Sequence, residues 1–240
     1  MAWNQDNRWS VRSVPGVETA EVDAGLRAHM LRIYNYMASG LALTGIVAYV
    51  AAASGFYLAI AHTPLIWVVM LAPLGFVFAL SAGLARMKTS TAQALFWAFS
   101  AVMGLSLASV FLVFTGASIA RVFFITAGTF AAMSLWGYTT KRDLSAMGSF
   151  LMMGLIGIVI ASLVNLFIGS TALQFAISVI GVVVFTGLTA WDTQRIKELY
   201  WENDGYELAG KKAVMGALTL YLDFINLFTL LLQFMGTRRD

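Results

Sequence analysis

The sequence predicts an all-α polytopic membrane protein of seven transmembrane helices, with its N-terminus cytoplasmic and its C-terminus outside. Three observations carry this. Of 240 residues, 60% are hydrophobic and 11% are charged, whereas soluble domains average roughly 45–50% apolar and about 25% charged. The apolar residues fall into seven runs, each close to the roughly 20 residues that a spanning helix needs. Lys and Arg collect on one side of those runs, which sets the orientation. A β-barrel would instead show alternating segments of about ten residues.

Residues 1–26 ("MAWNQDNRWSVRSVPGVETAEVDAGL") are polar and lack the apolar core and cleavage pattern of a signal peptide. They predict a flexible N-terminal tail ahead of a transmembrane bundle over 27–240. "RAHMLRIYNYM" then leads into the first span with basic and aromatic residues suited to a headgroup region. The spans are placed at about 33–54, 64–85, 91–114, 119–138, 147–168, 173–198 and 213–235. Their connections are short except for "KELYWENDGYELAGKK" between the sixth and seventh. No repeat, low-complexity tract or second domain is visible.

With the N-terminus inside, the inner side collects Arg8, Arg12, Arg27, Arg32, Arg86 and Lys88. It also gains Lys141, Arg142, Arg195, Lys197, Lys211 and Lys212. The outer side holds only Arg121, Arg238 and Arg239. Twelve against three fixes the direction of every span.

The same composition excludes several chemistries. There is no cysteine, hence no disulfide framework, thiolate nucleophile or cysteine-based metal site. His29 and His62 are the only histidines, which excludes a histidine-rich metal site, and no cofactor is expected. The formal charge of +3 is small and its basic residues lie in short clusters between apolar runs, so nucleic acid is not a partner.

Most charges stand at helix ends. Arg121 can snorkel to the headgroups, and Asp143 in "YTTKRDLSAMG" is expected to cap the fifth span. Asp223, in "LTLYLDFINLF", is different. Counted from Ala213 it lies about ten residues in, roughly 15 Å at 1.5 Å per residue. A charge near the bilayer centre costs about 2.5–3.5 kcal/mol on insertion scales. Gly216, Thr219, Asp223 and Asn226 recur at helical spacing, and a stripe of small and polar groups faces protein or water rather than lipid.

Asp192, in "GLTAWDTQRIKELYW", is the second candidate. If Tyr200 and Trp201 mark the inner aromatic belt, Asp192 lies about eight residues, roughly 12 Å, inside it. The sixth and seventh spans run antiparallel, so the two aspartates can approach at similar depth. Two carboxylates in contact cannot both ionise cheaply and titrate as a coupled pair. Such a pair is a pH sensor, a proton relay, a cation site or a protease dyad. Arg86, in "SAGLARMKTST" at the inner edge, is placed to reach towards Asp192 and plug a cavity from the cytoplasmic side. "MGLIGIVIASLVN" sets Gly154, Gly157, Ala161 and Asn165 as one packing face of the fifth span, with Asn165 a candidate cavity residue.

The motifs "LYLDFINLF", "WDTQRIK", "KRDLS" and "LVNLF" resemble those of the Bax inhibitor-1 family, the transmembrane Bax-inhibitor-motif proteins. The resemblance covers nearly all the chain after the N-terminal tail. It implies a seven-helix bundle with the last helix central and surrounded by the other six. It also implies a pH-sensitive calcium leak in which an aspartate pair senses protons and an arginine after the second span acts as a latch. Carried over residue by residue, these are Asp192, Asp223 and Arg86.

A leak fits the chemistry of the residues. Calcium takes six to eight oxygens at about 2.3–2.6 Å. Two aspartates with Asn226 and waters give an incomplete shell from which a permeating ion can leave, Asn226 and Thr219 being candidate cavity-lining residues. Calcium would therefore be held only transiently, as the permeant ion. Protons compete for the same carboxylates and also weaken an Arg86–Asp192 pair, so pH dependence is expected without a fixed sign.

The alternative is a membrane interaction protein that regulates a membrane protease or cell-death and stress factors. An intramembrane aspartyl protease is less favoured, because "LYLD" places bulky residues where that class resembles Gly-x-Gly-Asp. Partners are therefore the lipid bilayer, calcium and protons, with membrane proteins under the alternative. The expected location is a bacterial inner membrane.

Overall fold

The computed structural model describes the backbone of residues 15–239 and the side chains of 24–239. Eight helices follow one another: α1 (Pro15–Ala53), α2 (Phe56–Ala61), α3 (Leu65–Gly83), α4 (Thr89–Val113), α5 (Gly116–Thr139), α6 (Ser145–Ile168), α7 (Thr171–Glu198) and α8 (Tyr206–Met235). All but the short α2 are long and apolar enough to cross a membrane, which makes seven spans among the described residues.

Two helices begin earlier than their apolar runs. Of the tail expected over 1–26, the first fourteen residues lie outside the described residues, and from Pro15 the chain is already helical. Proline suits a first helical position, and the Glu, Ala and Leu of "VETAEVDAGL" are good helix formers. α8 starts at Tyr206 rather than near 213, because "YELAGKK" continues the helix beyond its apolar part. Glu207 in its first turn suits the helix dipole. The long connection expected between the last two spans thus shrinks to 199–205.

α8 is the centre of the bundle. Its apolar stretch is 72% buried, against at most 33% for any other span. Its small and polar positions, Gly216, Thr219, Asp223 and Asn226, favour protein over lipid as surroundings, and Leu218, Leu220, Tyr221 and Leu227 are shut off completely or nearly so. Its packed wall is made by α1, α4, α5 and α7, while α3 lies outside against α4 and α6 outside against α7. The last helix is thus central as expected, with four helices directly around it and two in an outer layer. The outer faces carry exposed Phe78, Phe124, Phe150 and Phe167, an apolar surface that only a bilayer would cover.

Two glycines let helices close on each other. A Cβ added at Gly104 would stand 2.7 Å from the Thr44 carbonyl, so α4 meets α1 backbone to backbone. Gly137 does the same for α5 against Ala190 of α7. On α6 the expected glycine face is only half right. Gly154 packs against Val184, whereas a Cβ at Gly157 would meet nothing within 4 Å. The inward face of α6 runs instead through Leu151, Gly154, Leu155, Ile158, Ala161 and Asn165. After α8 the chain is pinned to the α4–α5 connection: Thr115 N donates to Thr237 O (3.0 Å) and Arg239 N to Val113 O (2.9 Å).

Candidate functional site

The site is built where α7 and α8 run antiparallel. Gly216 keeps that crossing close, since only a Cβ-sized space separates it from Ile196 of α7 and Ile33 of α1. This register brings the carboxyl groups of Asp192 and Asp223 within hydrogen-bonding reach of each other. They are 8% and 5% exposed, respectively. Asp223 Oδ2 is fully buried and has no hydrogen-bond partner among the described residues. Ionised carboxylates only accept hydrogen bonds, so a shared proton or a cation is what would reconcile two of them face to face.

Arg195, three residues beyond Asp192, acts on it electrostatically and lies 5.5 Å above the Trp191 ring. Arg86 is not brought to the pair. It is exposed on the turn after α3 and makes no ion pair with another described residue; the single ion pair among the described residues joins Lys212 to Asp204 in the α7–α8 connection. Thr219 and Asn226 are half-buried and donate back to their own helix, to Met215 O (3.1 Å) and Leu222 O (2.8 Å). Asn165 is buried at the α6–α7 turn. Its Oδ1 accepts from Ser170 N (2.9 Å) and its Nδ2 donates to Gln174 Oε1 (3.2 Å). Among the described residues no three His, Asp or Glu side chains converge as a metal site would require.

The N-cap position of α6 falls on Leu144 rather than on Asp143; Asp143, one residue earlier, still serves the helix start, its Oδ1 accepting from Ser145 N at 2.8 Å. Hydrogen bonds from the Ser145 side chain and backbone hold its carboxyl below the usual carboxylate range.

Three polar features around the pair carry no local motif. Tyr34, Ser134 and Thr193 form a hydroxyl chain across α1, α5 and α7, with links of 2.7 and 2.9 Å, ending beside Asp192. Gln194 is buried and ties the α5–α6 turn to α7, donating to Arg142 O (2.9 Å) and accepting from Leu144 N (2.9 Å). Tyr221, two residues before Asp223, reaches Thr44 at 2.6 Å between the rings of Phe96 and Phe99. Hydroxyl and amide side chains occur in most of the spans, so spacing alone could not single these out. Only the position of Gln194 inside "WDTQRIK" offered a hint.

A bundle of seven apolar helices, whose last two place a buried carboxyl pair between them, is a polytopic membrane protein with an intramembrane acidic site. The chain belongs to the Bax inhibitor family: the family described as inhibitor of apoptosis-promoting Bax1 matches residues 26–240. An uncharacterized protein of Rickettsia prowazekii is 52% identical over 219 residues, covering 91% of this chain and 93% of that protein. The inner membrane protein YbhL of Escherichia coli strain K12 is 48% identical over 220 residues, 90% of this chain and 94% of its own length. A third relative, from Caulobacter vibrioides, is 45% identical over 99% of this chain and all of its own.

Proposed function

We propose that this protein is a pH-sensitive calcium leak of a bacterial inner membrane, with Asp192 and Asp223 as proton sensor and ion path. The meeting of the two carboxyl groups, with Asp223 Oδ2 lacking a donor among the described residues, carries the reading. One proton held between them closes the acidic site to a cation, and its loss leaves oxygens that calcium can use. Asn226, half-exposed one turn along α8, adds a further oxygen towards the C-terminal end of α8. Two strong ligands are too few to trap calcium, which suits conduction better than storage.

A latch role for Arg86 requires the turn after α3 to swing to Asp192; in the present arrangement the guanidinium acting on Asp192 is that of Arg195. The proposed topology keeps the N-terminus in the cytoplasm, from the distribution of basic residues. Peptide hydrolysis is disfavoured because Leu220 and Tyr221, bulky and fully buried, precede Asp223 where an intramembrane aspartyl protease resembles Gly-x-Gly-Asp.

The family's description as an inhibitor of a cell-death protein favours a second reading, a membrane protein that acts by binding another. One comparison separates the two. Asp223→Asn should abolish calcium flux in liposomes while leaving capture of a membrane partner intact. If the flux survives and capture fails, the binding reading replaces the leak.

A further inference from the structure

Small residues on membrane helices normally let two helices touch. α1 and α5 break that pattern. Ala38, Ala42 and Gly45 of α1 face Ala127 and Ala131 of α5, yet the two helices form no packed interface with each other. Between them lies a groove of about 860 Å³, floored by Phe130 of α5 and Phe224 of the central helix. Its rim is exposed and apolar, with Leu31, Ile46 and Leu135 more than half accessible. The groove therefore opens sideways, towards the membrane interior. A second, smaller space of about 290 Å³ shares Leu41, Gly45, Phe123 and Phe224 with it and extends it along α1. Asp192 and Asp223 line neither space.

One end of the groove differs from the rest. Arg27, Tyr34, Ser134 and Tyr138 are there, and the Lys197 Nζ stands 5.5 Å over the Tyr138 ring while donating to its carbonyl. This is the end where α1 enters the membrane. At 1.5 Å per residue, Arg27 to Tyr34 takes up about 10 Å of α1 at the polar end, and Tyr34 to Ile46 about 18 Å more. That apolar part is a little over half of the roughly 30 Å hydrocarbon thickness, about the depth of one leaflet. A basic mouth, an apolar channel one leaflet deep and a lateral opening match one class of molecule.

We propose that the α1–α5 groove binds a single anionic phospholipid, with an acyl chain laid along Ala38, Ala42 and Ala131 and the phosphate at Arg27. The small residues are then read as space for the chain. The hydroxyl link from Tyr34 to Ser134 ties the two walls together and keeps the slot from spreading. This assignment stands apart from any role of the aspartate pair.

The test uses the full chain purified in detergent, with dioleoyl phosphatidylglycerol or phosphatidylcholine added and retained lipid counted by native mass spectrometry. Wild type should keep one phosphatidylglycerol per chain, held at least tenfold better than phosphatidylcholine. Ala131→Trp should fill the slot and lower retention at least tenfold. Ala42→Trp does the same from the opposite wall, should the first variant fold poorly. Arg27→Gln should keep a lipid but lose the headgroup preference. Phe167→Trp, on the exposed tip of α6, should behave as wild type. Retention unchanged in both groove-filling variants overturns the proposal, as does equal retention of the two lipids by wild type.

Discussion

Replacing Gly137 with alanine tests how tightly α5 is held against α7. An added Cβ would run into the Ala190 carbonyl and stand 2.9 Å from its Cα. The obstacle is backbone, so no rotamer change relieves it, and α5 must move outward. Overpacking of this kind costs about 1–3 kcal/mol, offset by the roughly 1 kcal/mol that alanine gains over glycine in a helix. An obstacle made of backbone favours the upper part of the range, leaving a net loss of about 1–2 kcal/mol. For a chain of this size each kcal/mol moves the melting point about 2–4 °C, so a fall of about 2–8 °C is expected in detergent. Gly157→Ala is the control, because a Cβ there meets nothing within 4 Å. It should melt at or slightly above wild type. If both variants shift alike, or Gly137→Ala melts no lower than wild type, the close α5–α7 contact is wrong.

Three further outcomes follow from the geometry. Gln194→Leu strips the Leu144 N–H and the Arg142 carbonyl of their partner, and should destabilise by about 1–3 kcal/mol, read as a lower melting temperature. Tyr221→Phe keeps the ring contacts with Phe96 and Phe99 but removes the bond to Thr44; a loss of about 1 kcal/mol is expected in the same assay. Asp143→Ala removes the acceptor for Ser145 N at the start of α6. The folded Asp143 carboxyl sits below its ordinary value, so its stabilisation is complete above the unfolded value of about 3.9 and fades as pH falls through the folded one. The variant should therefore melt below wild type at pH 7, and the gap should close below about pH 4.

Much of the architecture was legible because the bilayer imposes it. Apolar length marks a span, and basic residues mark an end, whatever the tertiary contacts. Helix starts were not legible by that signal: α1 and α8 run on through "VETAEVDAGL" and "YELAGKK", which are helical by propensity while too polar to count as membrane. The aspartates were legible by cost, since a carboxyl at depth needs a reason. Their pairing depended on the α7–α8 register, which the closeness of Gly216 to Ile196 sets. Arg86 shows the opposite limit. Its place after a helix follows from the apolar run before it, but the direction in which an exposed turn points its side chain leaves no mark in sequence. The α1–α5 groove was hidden for a related reason. Ala38, Ala42 and Ala131 read as small, and small residues are equally consistent with two helices touching or with room for something else.

The most direct test of the paired aspartates is calcium flux into liposomes holding the purified protein, followed from pH 5 to 8. Wild type is compared with Asp192→Asn, Asp223→Asn and the double variant. If the two carboxyl groups act as one unit, wild-type flux changes across this range and each single variant loses the flux. The double variant is then no worse than either, the non-additivity expected of residues in contact. Wild type that carries no calcium at any pH, or single variants that keep the wild-type profile, would contradict the account.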